Sequence, residues 1–333
     1  MTQHTQPRRG RRRGHLALTV TVVATLITGC GDASSDSATT ISGSSTTGGT
    51  TTTAAASTTT LDTTAPDTTT SDGTDAVAGD LTSGYQLASW GSNVTVTYED
   101  GMLHYVSDGL PNHEREAQYA IPNGGVMVPD AATATAAADP TGAQSYDYLI
   151  PLTPTMASAT TPTSLGVIGV MISGASLFNP YEGDGATVAT QSNFSVKDAD
   201  GNDVWFLDAC AGHPTPMGQY HYHALPKCVT ATIDEDGGAS HILGIAFDGF
   251  PIYGDRDIDG VQLTADDLDE CNGITSATPE FPQGVYHYVL LDVADSTSSI
   301  RCFSGVVDAS LSSMAGMPGM PGMGGGPPPP STT

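Results

Sequence analysis

The segment Val94-Thr-Val-Thr-Tyr98-Glu99-Asp-Gly101-Met102-Leu-His-Tyr-Val106 decides the fold class. Residues alternate in character before and after Asp100-Gly101, and Asp-Gly between two such runs is a strong short-range signal for a β-hairpin. Working outward, Leu165-Gly-Val-Ile-Gly-Val-Met-Ile172 is apolar on both faces and reads as a buried strand. Phe194-Ser-Val196 and Val204-Trp-Phe206 flank a second turn, Asp198-Ala-Asp-Gly201. Thr230-Ala-Thr-Ile233 and Ile242-Leu-Gly-Ile-Ala-Phe247 flank a third, Asp234 to Gly238, and predict a third hairpin. Only Thr264 to Glu270 suggests a helical turn, with Thr264 as its cap. The expected class is all-β: a single disulfide-braced, β-sandwich-like domain over residues 83–308.

The flanks differ in kind. Arg8, Arg9, Arg11, Arg12 and Arg13 precede an apolar run from Leu16 to Ile27, too short to span a bilayer as a helix. A basic start, a short apolar run and small residues at the cut site read as a secretory signal over residues 1–29, and Thr28-Gly29-Cys30 resembles the lipobox of bacterial lipoproteins, which implies cleavage before Cys30 and lipidation of its thiol. Residues 31–80 hold 25 Ser or Thr in 50, with no aromatic, Lys or Arg. Such a composition cannot bury enough apolar surface to offset its ordering entropy. Residues 30–82 are therefore expected to be a disordered tether. Residues 309–333, with Met314, Met317, Met320 and Met323 followed by glycines and prolines, are expected to be a disordered tail. Thioethers suit Cu(I), though Met-Pro-Gly repeats also serve as plain spacers. These features imply an extracytoplasmic protein attached to a membrane by its lipid.

The formal net charge is −26. The presumptive signal carries five of the ten Lys and Arg and none of the 36 Asp and Glu, so the mature chain is more acidic still. This excess repels phosphate backbones and argues against nucleic-acid binding. Beyond Cys30, four cysteines remain: Cys210, Cys228, Cys271 and Cys302. An even number in an oxidising compartment suggests two disulfides, and pairing neighbours in order gives Cys210–Cys228 and Cys271–Cys302. The first closes a loop worth about 3 kcal/mol in the chain-entropy model. The competing reading makes Cys210 and Cys228 thiolate ligands.

Three histidines fall between that first pair: His213, His221 and His223. On a strand, His221 and His223 project to one face and Tyr220 and Tyr222 to the other. Two imidazoles on one strand face can share a metal ion, with His213 as a third ligand from the preceding turn. Gly218-Gln-Tyr-His-Tyr-His223 recurs in part as Gly284-Val-Tyr-His-Tyr-Val289. If the two strands lie side by side, His287 approaches the cluster. Asp208, close before His213, is a candidate supporting carboxylate. Asp248, within Phe247-Asp-Gly-Phe-Pro251, either orients an imidazole or forms an Asx-turn. Asp255, Asp257, Asp259 and Gly260 match the first half of a calcium loop, whose twelfth position is Asp266 rather than Glu. Phosphate loops, dinucleotide fingerprints and Gly-x-Ser-x-Gly elbows are absent from the sequence.

Tyr220-His-Tyr-His223 stands among further motifs in a fixed order. They are Ser107-Asp-Gly-Leu-Pro-Asn-His113, Asp208-Ala-Cys-Ala-Gly-His213, Gly244-Ile-Ala-Phe-Asp-Gly-Phe-Pro-Ile-Tyr-Gly254, Leu268-Asp-Glu-Cys-Asn-Gly273, Tyr286-His-Tyr288 and Arg301-Cys-Phe-Ser-Gly305. Together they resemble the YHYH domain family of secreted bacterial proteins. The resemblance adds His113 to the candidate ligands, and Val289 departs from it where a histidine is expected. It supplies a domain and not a mechanism. The leading expectation is a lipid-anchored protein with a pocket for copper or zinc. Two others stand beside it: a metal-dependent hydrolase or oxidoreductase, and a metal-free surface module using its tyrosines for contact.

The lipid anchor rests on Cys30. Cys30→Ser is expected to move the protein from the membrane to the soluble fraction on cell fractionation; undiminished membrane association would refute the anchor.

Overall fold

The computed structural model describes residues 79–190 and 193–312. The signal, Cys30, nearly all of the tether and the four tail methionines lie outside the described residues. The chain divides into residues 1–67 and 68–333, and every described residue belongs to the second unit.

The elements follow in chain order. Helix α1 (Thr82–Tyr85) precedes strands β1 (Val94–Glu99), β2 (Met102–Ser107), β3 (Gln118–Pro122), β4 (Ala134–Ala138), β5 (Tyr146–Pro151) and β6 (Met156–Pro162). Then come β7 (Val167–Met171), β8 (Ser176–Phe178), β9 (Ser195–Lys197), β10 (Asp203–Trp205), β11 (Gly212–Pro214) and β12 (Tyr220–Tyr222). Helix α2 (Lys227–Ile233) leads to β13 (Ile242–Ala246) and β14 (Pro251–Tyr253). A 3-10 turn (Ala265–Asp267), β15 (Gly273–Ser276), β16 (Val285–Val289), β17 (Cys302–Gly305) and α3 (Ala309–Ser312) complete the fold. None of these helices is long and apolar enough to cross a membrane.

The fold is all-β, with an eight-stranded sheet in the order β11-β12-β8-β7-β13-β14-β16-β15. The three-stranded sheet β1-β2-β5 faces it. Leu103, Tyr105, Tyr146 and Ile150 from the small sheet share one core with Ile168, Val170, Leu177 and Ile245 from the large one. The Tyr105 hydroxyl donates to the Met171 carbonyl and the Ser107 hydroxyl to that of Gly174, fastening one sheet to the other. The first hairpin forms as expected. Asp100 and Gly101 both take positive φ, 52° and 75°, the condition for a tight two-residue hairpin turn. β9 and β10 form the second hairpin.

The third hairpin does not form. Thr230 to Ile233 lie in α2, not in a strand. Pro226 fixes the entry to this helix, Cys228 is tied to Cys210, and Val229 is buried in the core. Tertiary anchoring overrides the strand preference of the β-branched residues. The fold also reaches past 83–308 at both ends. Leu81 is buried and its N–H donates to Leu152, while Leu311 packs against the core. The turn at 265–267 is capped as expected, with the Asp267 carboxylate accepting from the N–H and hydroxyl of Thr264.

The large sheet is built twice. β7 and β13 pair antiparallel at its centre, with Val170 opposite Ile245. Outward from each, the ladder repeats: β7–β8 and β13–β14 are antiparallel, β8–β12 and β14–β16 parallel, β12–β11 and β16–β15 antiparallel. Registers correspond residue by residue. Gly169 faces Leu177 as Gly244 faces Ile252, and both pairs carry the same register shift. Tyr222 faces Leu177 as Tyr288 faces Ile252. Gly174 and Gly249 both take positive φ in the intervening turns, 99° and 91°. Each half also closes its own disulfide, Cys210–Cys228 with Cα atoms 5.2 Å apart and Cys271–Cys302 at 4.7 Å. The expected pairing is observed, and it withdraws both first-pair sulfurs from thiolate ligation.

Two halves built alike also share a strained position. Ala211 and Asn272 occupy corresponding places in Cys-x-Gly and take φ of 57° and 69°. Asn tolerates this left-handed region, whereas Ala pays about 1–2 kcal/mol there. Ala211→Gly is therefore expected to stabilise the domain by roughly 1 kcal/mol, measured by urea unfolding; unchanged or lower stability would contradict this account.

Candidate metal centre

The site begins with a carboxylate. Asp208 Oδ1 accepts the N–H groups of Cys210 and Gly212 at 2.8 and 3.2 Å, bending the chain into β11. Its Oδ2 accepts the hydroxyls of Tyr119 and Tyr220, each at 2.8 Å. Gly212 lies so close to the Tyr220 ring that a Cβ would collide with it. The result sets β11 against β12 with His213 opposite His221. His223 follows directly, its N–H held by the Ala211 carbonyl.

The alternation expected of β12 is present. Tyr220 and Tyr222 turn to one side, where the Tyr222 hydroxyl meets Ser173 Oγ and His113 Nε2. On the other side the imidazoles of His213, His221 and His223 converge. His221 Nε2 lies 2.9 Å from His223 Nε2, and His213 Nε2 lies 3.3 Å from it. The three are 7%, 3% and 2% exposed, so the group is closed to solvent. Phe178 stacks on His221 at 3.8 Å between ring centroids, and Phe206 meets His213 edge-on at 4.3 Å.

The tautomers follow from the partners. His221 Nδ1 faces the Gln219 carbonyl at 3.2 Å, and His223 Nδ1 faces the Asn179 carbonyl at 2.7 Å. A carbonyl only accepts, so each Nδ1 carries the proton and each Nε2 presents a lone pair. Two lone pairs then point at each other across 2.9 Å. A cation between them would resolve the conflict. A proton is a poor choice, because burial drives all three pKa values down, that of His223 to about 4 and those of His213 and His221 well below the usual range. A metal ion with bonds of about 2.0–2.1 Å sets neighbouring nitrogens of a tetrahedron about 3.3 Å apart. Nδ1–H on a backbone carbonyl is also the arrangement that fixes metal-binding imidazoles.

The other candidates stand elsewhere. His113 does not join the three: it lies on the tyrosine face, with Nδ1 on the Glu114 carbonyl and Nε2 3.4 Å from Cys210 Sγ. With Cys210 and Cys228 it forms a second close group, but both sulfurs are in the disulfide. Asp208 shapes the strand pair and receives no imidazole. Asp248 is fully buried and accepts from the N–H groups of Phe250 and Gly305 and from the Tyr288 hydroxyl; burial raises its pKa to about 6. It too receives no imidazole. His287 is not beside the cluster, since β12 and β16 are separated by β8, β7, β13 and β14. The side-by-side expectation fails because the repeat is related by a twofold that sends equivalent strands to opposite ends. Asp255, Asp257 and Asp259 are not among the described groups whose ligand atoms converge. Asp257 Oδ1 accepts the N–H of Asp259 and Val261, and Asp255 Oδ2 accepts from Gln262, so the acids organise their own turn. His104 and His241 pair with Asp147 and Glu280.

Phe178, Phe206 and the Asn179 carbonyl are the parts of the site that the residue pattern did not reveal. A comparison of Gly169–Asn179 with Gly244–Gly254 exposes the first and third, since the two segments share spacing and register.

The buried imidazoles also set a pH dependence. Their folded pKa values are depressed, so the unfolded chain binds more protons as pH drops below about 6.5. Metal-free protein is expected to lose stability, on the order of a few kcal/mol, between about pH 6.5 and pH 4. His287, also lowered by burial to about 4, acts in the same direction. Urea unfolding at pH 7 and pH 5 measures this, and equal stability at both would contradict neutral buried histidines.

No curated protein and no solved structure matches the chain. The family model described as "YHYH protein" matches residues 147–260 and 254–305, which span the large sheet, both disulfides and the histidine cluster. Residues 147–305 of the chain are thus a YHYH domain.

Proposed function

We propose that the protein is a lipid-anchored extracytoplasmic metal-binding protein whose His213, His221 and His223 hold one copper or zinc ion. The observation that carries this reading is the meeting of bare Nε2 atoms while Nδ1–H groups are spent on carbonyls. Imidazole suits both metals, and the absence of a carboxylate or thiolate from this group makes a hard cation a poor occupant. Closure of the site favours retention of an ion over turnover of a substrate, because the rings are buried behind Phe178 and Phe206. Recognition through tyrosines has little support: Tyr220, Tyr222 and Tyr288 are 0% exposed.

Untagged protein titrated with Zn²⁺ and with Cu⁺, then desalted, should retain about one equivalent by elemental analysis. His221→Ala should reduce affinity at least tenfold while keeping its near-ultraviolet circular dichroism, since two disulfides and the core remain. Wild-type protein that retains neither metal would refute the proposal.

A further inference from the structure

The repeat in the large sheet has a chemical counterpart. The Asp208 clamp recurs as Asp269, whose Oδ1 accepts the N–H groups of Cys271 and Gly273 and whose Oδ2 accepts the Tyr286 hydroxyl. A Cβ on Gly273 would strike the Tyr286 ring, as one on Gly212 would strike Tyr220. Ile274 then faces His287 in the register in which His213 faces His221. His287 is 3% exposed and its Nδ1 lies 3.0 Å from the Val285 carbonyl, repeating the contact of His221 with Gln219. The N–H of Val289 donates to the Asn272 carbonyl as that of His223 does to Ala211. Tyr253 takes the place of Phe178, its ring 4.9 Å from that of His287. Its hydroxyl is engaged with Thr278 and Glu280.

We propose that this second half is a copy of the metal cradle in which two of three ligands have been replaced, Ile274 standing for His213 and Val289 for His223. His287 is the remaining ligand. The strand register, the carboxylate that accepts the N–H groups of Cys271 and Gly273 and the carbonyl that fixes Nδ1 of His287 are retained, and imidazoles are what the cradle lacks at positions 274 and 289. With them restored, the second half should take the same class of ion as the first, a borderline transition metal such as zinc. The inference rests on the metal reading of the first half, but its test separates the two.

The test compares metal retained by the full-length wild type and by Ile274→His/Val289→His after titration with Zn²⁺. The wild-type count reports on the first half. The difference between variant and wild type reports on the second, and should be one equivalent. A folded double variant that gains nothing overturns the proposal. So does an equal gain from Val261→His/Val293→His, two histidines placed at exposed positions outside the β15–β16 pair. Should the double variant fail to fold, Ile274→His decides. That position is only partly buried, and a cross-strand pair with His287 should bind Zn²⁺ at least tenfold more weakly than the first site. No additional uptake by this folded single variant also overturns it.

Discussion

The cluster depends on a half-buried carboxylate that ties a turn to the neighbouring strand. Asp208 collects two backbone N–H groups and two tyrosine hydroxyls, four donors that a carboxylate can accept at once. Charge-assisted bonds of this kind are stronger than neutral ones. They hold the Cys210–Gly212 turn in the conformation that sends His213 back across β12. The tyrosines of the name-giving motif thus serve the histidines indirectly. They occupy the opposite face of the strand and fix its orientation, leaving the alternate positions to project together. The motif is one strand with a structural side and a chemical side.

On the chemical side, the argument is about hydrogen positions rather than proximity. Three histidines in contact could be an ordinary core feature if their ring nitrogens alternated as donors and acceptors. Here the backbone carbonyls of Gln219 and Asn179 fix Nδ1 of His221 and His223 as the donor, and this removes the hydrogen that a bond between those two rings would need. Burial then opposes protonation. The combination leaves the Nε2 lone pairs of His221 and His223 facing one another, and a cation between them would relieve that repulsion.

Much of the fold and site was legible because local signals coincided with global ones. Asp100-Gly101, the apolar run at 165–172, the cysteine pairs and the period-two histidines each encode a feature that needs no distant partner to be read. What was missed depends on distant partners. Thr230–Ile233 favours a strand locally but lies between a proline, a disulfide and a core contact that wind it into a helix. His113 carries a family motif, yet the turn it sits on delivers it to the tyrosine face. Asp255, Asp257 and Asp259 have calcium spacing, but spacing alone does not bring their carboxylates together, and they are not among the described groups whose ligand atoms converge. The echo of Tyr-His-Tyr was visible, while the twofold that separates its copies was not, because sequence similarity carries no information about which strands become neighbours.

The two disulfides have a consequence beyond stapling. Each joins residues on one side of the chain's repeat, 210 to 228 before β13 and 271 to 302 after it, so neither links the two halves across the seam between β7 and β13. That seam is antiparallel and self-complementary, the geometry of a symmetric dimer interface. The polypeptide acts there as a tether that keeps two partners at high effective concentration. Parted from one another, the halves would each expose an apolar central strand with unpaired backbone groups, an invitation to pair with another molecule. Covalent continuity across this seam is therefore what turns an assembly problem into a folding problem.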